Sequence, residues 1–222
     1  MDVVPFTGVY RLVYYSCFFQ PTDMTKSKHD ARPSRERMLE AAIDLMRQSG
    51  LSGAGINNIL KVSGGPKGSM YHHFPNGKDQ IVGEAITIYA GRVQATIGAA
   101  LDRGRTPGEK IRGLFDALAR RMADGDFKRS CAVAAVTLDM DESAALHRPL
   151  LDGTLSAWID EVACHLPAPS SARTRSFAGL VVSTVEGAYV RARAGGSARP
   201  LIEAGLWLSE LAEQALGVDA EV

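Results

Sequence analysis

The sequence predicts an all-α protein of about nine helices, with a small N-terminal helical unit joined to a larger helical body. Three observations predict it. Apolar residues recur at three-to-four spacing in nearly every segment long enough to judge. No stretch alternates apolar and polar residues over the length a strand needs. Gly, Pro and short polar runs punctuate the chain at helix-length intervals. There is no internal repeat and no low-complexity run, and 222 residues with 45% hydrophobic and 23% charged content can bury a sizeable core.

The first 23 residues stand apart. "VVPFTGVYRLVYYSCFF" is apolar and aromatic, yet Pro5 and Arg11 interrupt it. It lacks a basic leader region and is too short for a membrane span. Residues 1–23 are therefore expected to be a non-native or disordered extension, with Met24 as the expected start. The first helix is "SRERMLEAAIDLMRQSG", with Ser34 as N-cap and Gly50 just past its end. Met38, Leu39, Ala42, Ile43 and Met46 fall on its apolar face, while Arg35, Arg37, Glu40, Asp44 and Arg47 are expected to be solvated. "GINNILKVSG" gives a short second helix with Ile56, Ile59 and Leu60 toward the core and Gly64 closing it. Pro66 suits the first position of a third, very short helix anchored by Met70, Tyr71 and Phe74. "PNG" breaks the chain at 75–77. From Lys78 a long amphipathic helix runs to about Arg103, roughly 39 Å at about 1.5 Å per residue. Further helices are expected at 108–123, from near Cys131 to "DMDES", and at 144–165, 172–193 and 200–216.

Formal net charge is zero but unevenly spread. Met24–Gln80 holds nine Lys/Arg against five Asp/Glu, and the remainder to the C-terminus holds fifteen against eighteen. A basic N-terminal third on a mildly acidic body suits a nucleic-acid module. Cys17, Cys131 and Cys164 are far apart and form no C-x-x-C. That argues against a disulfide framework and a structural zinc motif and for a reducing, cytoplasmic compartment. The cysteines read as buried structural thiols rather than redox sensors.

"GGPKGSMYHHFPNGKDQ", residues 64–80, carries the chemistry. Two helices separated by a tight "SGGP" turn form a helix-turn-helix, whose second helix enters the major groove while the first braces it on the backbone. Gly64 supplies a left-handed turn residue. Gly68 and Ser69 keep the reading helix small on its exposed side, and Lys67 brings charge to a helix start that already favours phosphate. A zinc site at His72–His73 is disfavoured, because adjacent helical residues point about 100° apart and no further ligand stands at metal spacing. A Walker-type loop is excluded by spacing and by the absence of a preceding strand.

With these residues in view, "SRERMLEAAIDLMRQSG", "INNILKVSGGPKGSMYHHF" and "GKDQIV" together resemble the DNA-binding domain of the TetR family of bacterial repressors. The extra residue in "PNGK" resembles the branch of LmrA-type repressors. The resemblance implies a helix-turn-helix domain over 24–78 and a helical ligand-binding and dimerisation domain over 79–222. It implies a regulator of transcription, most simply a repressor released by a small-molecule inducer. Its partners would be a double-stranded DNA operator, an inducer of unknown identity and a second copy of the chain, with no membrane and no cofactor. The candidate DNA-binding residues are Ser34, Asn57, Lys67, Gly68, Ser69, Tyr71, His72 and Lys78. Tyr71 resembles a family aromatic whose hydroxyl reaches a phosphate; the alternative places its ring in the core. His73 and Phe74 are read as packing residues. Two departures from the family stand out. Gly55 replaces a frequent capping Thr, so the phosphate interaction of that Thr is either missing or made by Asn57. Leu60 replaces a smaller residue between the helices.

For a ligand pocket the candidates are Phe115, Met122, Met140 and Trp158, with plain core packing as the alternative. For a dimer interface they are Phe177, Val181, Val185, Trp207 and Leu211, with an ordinary monomer core as the alternative. Asp139, Asp141 and Glu142 with His147 read as a solvated loop rather than a metal site. The rival classes are an all-α enzyme and a helical adaptor without DNA binding. No Ser/His/Asp spacing, paired carboxylates or cofactor fingerprint supports the first, and the basic unit and turn chemistry oppose the second.

Overall fold

The computed structural model describes residues 32–142 and 145–217. The extension 1–23, the Met24 start and Cys17 lie outside the described residues. The helices are α1 (Ser34–Gly53), α2 (Ile56–Ser63), α3 (Lys67–His73), α4 (Gly77–Leu101), α5 (Pro107–Asp124), α6 (Ala132–Leu138), α7 (Arg148–Cys164), α8 (Ala172–Gly195) and α9 (Arg199–Leu216). A short 3₁₀ turn, Ala145–His147, leads into α7. Among the described residues there is no strand, and no helix is long and apolar enough to cross a membrane.

The expected elements are present, with local corrections. Ser34 is the first residue of α1 rather than its cap; Pro33 precedes it and no side chain caps the helix. Ser49 and Gly50 leave helical geometry, so residues 51–53 form a separate turn after a break. Gly50 has φ +67°, and a Cβ there would lie 2.7 Å from Asp139 Oδ2. That carboxylate accepts from the Ser52 backbone N–H at 2.6 Å, which caps the turn and holds the Asp139 carboxyl below its usual range. Pro66 stands just before α3 instead of inside it.

α2, α3 and α4 each pack on α1, burying Met38, Met46, Ile59, Met70 and Phe74 completely. The core continues through Ile81, Ile86 and Leu101 of α4 to Leu114 and Phe115 of α5. α5 and α9 approach closely at Gly205, where a Cβ would come 2.5 Å from Phe115 Cβ.

The charged face of α1 is not simply solvated. Arg35 pairs with Glu84 of α4 and lies 5.0 Å from the Phe74 ring centroid. Arg92 of α4 grips Glu40 through both guanidinium ends, which holds the Glu40 carboxyl below its usual range. Arg129 pairs with Asp44 at 3.2 Å. Arg37 Nε donates to Ser63 O and Arg47 Nε to Ser130 O, both at 3.1 Å. The polar face of α1 is thus the seam joining the N-terminal unit to the body. Periodicity hid it because each partner lies far along the chain.

Candidate nucleic-acid interface

The turn between α2 and α3 is built by two glycines. Gly64 caps α2 in left-handed geometry, φ 65° and ψ 17°. Gly65 follows, where a Cβ would lie 2.3 Å from Met38 Cε and would displace the end of that side chain. Its N–H donates to Ser63 Oγ at 3.3 Å, and Arg37 holds the Ser63 carbonyl. Ser69 Oγ lies 3.4 Å from Ser34 Oγ, tying α3 to the start of α1.

This packing divides α3 into two faces. Met70 and Phe74 are wholly buried. Lys67, Gly68, Tyr71 and His72 are exposed and Ser69 is half-buried. The Tyr71 ring is 50% exposed, which removes it from the core anchors expected on the apolar face. His73 is half-buried with its ring edge-on to Phe74, as a packing residue should be. Gly68 has open space around it, so a Cβ would meet nothing in the chain itself. Asn57 is exposed on α2, whose start at Gly55 has no side-chain cap. Ser34 and Lys78 are half-buried at the starts of α1 and α4. Val62, which no sequence motif marks, is 56% exposed beside the turn.

The body holds a cavity of about 50 Å³. That is room for a few waters, since one needs roughly 10–15 Å³. Arg47 of α1, Tyr89 of α4, Arg121 of α5, Cys131, Trp158 of α7 and Glu186 and Tyr189 of α8 line it, among apolar residues of α4, α5, α7 and α8. Trp158 Nε1 donates to Ala90 O at 3.1 Å, fixing its ring edge-on to Tyr89. The Arg47 guanidinium lies 5.6 Å from the Tyr89 ring centroid. Burial raises the Glu186 carboxyl, despite a hydrogen bond with Cys131 that opposes it. Burial also drives the Cys131 thiol well up, with Glu186 adding to the effect, and pushes Tyr189 up to about 12. Burial thus works against ionisation of Glu186, Cys131 and Tyr189 in this wall.

Of the pocket candidates read from sequence, Trp158 lines this cavity. Phe115 and Met122 are buried and Met140 is half-buried, and none of the three is on its wall. Of the interface candidates, Phe177 and Val181 are buried within the chain and Val181 and Val185 line the cavity. Trp207 and Leu211 are exposed, at 74% and 40%. Cys131 is buried as expected of a structural thiol, whereas Cys164 is exposed. Asp139 caps the turn at Ser52, and His147 is buried beside Asp79.

Two family models match the chain. "Bacterial regulatory proteins, tetR family" matches residues 38–85, and "Transcriptional regulator LmrA/YxaF-like, C-terminal domain" matches residues 107–205. The uncharacterized HTH-type transcriptional regulator Rv0196 of Mycobacterium tuberculosis is 31% identical over 174 residues, covering 75% of this chain and 88% of that protein. The uncharacterized HTH-type regulator YxaF of Bacillus subtilis is 37% identical over 117 residues, 53% of this chain and 60% of its own. The crystal structure of a TetR regulatory protein from Rhodobacter sphaeroides superposes with a TM-score of 0.72 at 24% identity, covering 80% of this chain and 97% of that one.

Proposed function

The chain belongs to the TetR family of DNA-binding transcriptional regulators, in its LmrA/YxaF-like branch, and on that premise we propose that it is a homodimeric repressor released from its operator by a small, largely apolar inducer. The observation that carries the reading is the two-faced α3. Lys67, Tyr71 and His72 are exposed while Met70 and Phe74 on the other side are fully buried. A seven-residue helix held this way presents short and basic side chains to a groove and its phosphates. In this reading residues 24–78 form the DNA-binding unit, residues 79–222 the ligand-binding and dimerisation body, and the protein acts in the cytoplasm.

The dimer face we propose is the exposed apolar surface of α8 and α9: Leu180, Val190, Ile202, Leu206, Trp207 and Leu211. Phe177, Val181 and Val185 support it from inside the subunit. Pairing of α8 and α9 with a second copy gives a four-helix interface and sets two α3 helices for half-sites about 34–36 Å apart. The inducer site we propose is the cavity. Drug-sized ligands need roughly 300–1,000 Å³, far more than the space present, so a ligand enters by displacing the wall. Part of that wall is Arg47, which sits on α1 of the DNA-binding unit.

The test is selection of bound duplexes from a random DNA pool, followed by salt-dependent binding of the selected sequence. An inverted repeat with affinity falling steeply as salt rises is expected. Absence of any enriched sequence would overturn the reading.

A further inference from the structure

Away from the DNA-facing surface and the cavity, the last turn of α7 gathers atoms that suit a metal ion. Glu161, Cys164 and His165 stand at i, i+3 and i+4, which places them on one face. Their donor atoms all lie within 4.8 Å of one another. Cys164 Sγ is 3.2 Å from His165 Nδ1, and that nitrogen is 3.8 Å from Glu161 Oε1. A tetrahedral zinc ion with bonds of about 2.3 Å to sulfur and about 2.0–2.2 Å to nitrogen and oxygen needs edges of about 3.6 Å and about 3.4 Å. Both pairs are within about half an ångström of those edges, a shift that side-chain rotation supplies.

The surroundings orient these groups. His165 Nε2 lies 3.1 Å from Asp102 Oδ1, at the end of α4. In the tautomer that carries its proton on Nε2, this carboxylate accepts the Nε2–H and leaves the Nδ1 lone pair free to meet an ion. Gln94 Nε2 donates to Glu161 Oε2 at 3.0 Å, leaving Oε1 toward His165. Glu161 lies against Gly98 of α4, where a Cβ would fall 2.7 Å from Oε1 and would shift that carboxylate. The Glu161 carbonyl, in the last turn of α7, accepts from the Cys164 thiol at 3.1 Å and lies 2.8 Å from His165 Nδ1, where it accepts an Nδ1–H; ion binding takes the tautomer with that proton on Nε2, beside Asp102, and frees the carbonyl. It adds an oxygen donor at the negative end of the helix.

We propose that Glu161 Oε1, Cys164 Sγ and His165 Nδ1 bind a thiophilic divalent cation of the zinc class, with the Glu161 carbonyl or a water as fourth ligand. Thiolate with imidazole selects zinc-like ions over magnesium or calcium. Binding converts the Cys164 thiol to a thiolate and releases its proton to solvent; no redox change occurs. Cys164 is exposed, so ions reach the site from solvent. Asp102 and Gln94 do not bind the ion but position its ligands, so metal binding fastens the far end of α4 to α7. This inference stands independently of the DNA-binding reading.

The test uses the full-length chain freed of metal, with cobalt(II) as the spectroscopic probe. One equivalent per chain should give a thiolate-to-cobalt charge-transfer band that zinc(II) bleaches. Cys164→Ser should abolish the band, while Cys131→Ser and Cys17→Ser should leave it intact. Asp102→Asn should weaken affinity about 10- to 100-fold, as loss of a ligand-orienting partner does elsewhere. Zinc should also slow alkylation of wild-type Cys164, read by peptide mass, which needs no variant to fold. No band in the wild type, a band surviving Cys164→Ser, or alkylation of Cys164 unchanged by zinc would each overturn the proposal.

Discussion

Lys67→Ala and Tyr71→Phe test the two-faced helix directly. Lys67 is the first residue of α3 and exposed, and the Tyr71 ring is half out of the chain. Neither change opens a cavity, so melting temperature should stay at the wild-type value. If each Lys67 neutralises one phosphate, its loss reduces the slope of log K against log salt by about 0.9 per subunit, or about 1.8 for a dimer. Binding should weaken for all sequences alike, because phosphate contacts carry no base information. Tyr71→Phe keeps the ring and deletes one hydrogen-bonding group, costing about 1 kcal/mol per subunit. Fluorescence anisotropy of a labelled operator at four salt concentrations measures both quantities, and circular dichroism confirms the fold. Should both variants bind with wild-type affinity and slope, α3 does not touch DNA and the reading fails.

Phe74→Ala acts on the opposite face. The ring is fully buried, so truncation should cost roughly 3–5 kcal/mol, seen as a lower urea midpoint; a midpoint equal to wild type would contradict the packing described. Trp207→Asp should leave the subunit folded and convert dimer to monomer in light scattering, because Trp207 is 74% exposed in the single chain. Val181→Asp, at a wholly buried position, should unfold it instead. A wild type that is already monomeric would reject the α8–α9 interface. His147 gives a pH dependence. Burial lowers its pKa, the Asp79 carboxylate opposes that, and Lys78 adds to it. The unfolded chain titrates near 6.5 and so binds more protons than the folded one just below that pH. The stability held by neutral His147 is complete above about pH 6.5, declines as pH falls, and levels off below the folded-state pKa. His147→Gln should flatten the melting temperature between about pH 5 and 7, and an unchanged profile would reassign the effect.

The sequence made the helices legible because each carries its own signal. Gly64 with its left-handed geometry and the Gly, Pro and short polar runs between helices are local statements that need no tertiary partner. The exposed face of α3, which we propose meets DNA, was legible for the same reason, since Lys67 to His72 lie within one short segment. The cavity was not. Its wall takes Arg47, Tyr89, Arg121, Cys131, Trp158 and Glu186 from different parts of the chain, and nothing in the spacing of those residues joins them. Large apolar residues such as Phe115 and Met122 looked like pocket material, yet the same properties suit them to the packed interior where they lie. The apolar stripe of α8 was likewise visible, but periodicity alone does not say whether a face meets its own subunit or another. Val181 meets its own, whereas Leu180, one residue earlier, faces out.

In the proposed inducer-released repressor, α1 is the connection between the cavity and α3. Its first residues touch the reading unit: Ser34 at Ser69, Arg35 over Phe74 and Arg37 at the Ser63 carbonyl. Near its other end Arg47 lines the cavity and holds Ser130 O. Arg37 and Arg47 are separated by about 15 Å of continuous helix, with the break at Ser49 and Gly50 lying beyond Arg47. On that proposal, a ligand that displaces Arg47 acts on a continuous helix whose first residues contact α3 and the turn before it. Beyond the break, the Asp139 carboxylate caps Ser52 from the end of α6, so a shift of α6 reaches the same helix from its other side. The ligand must still bind the DNA-incompetent arrangement more tightly. A hundredfold loss of operator affinity requires about 2.7 kcal/mol of difference, which a few apolar groups seated in a widened cavity supply at about 25 cal/mol per Å².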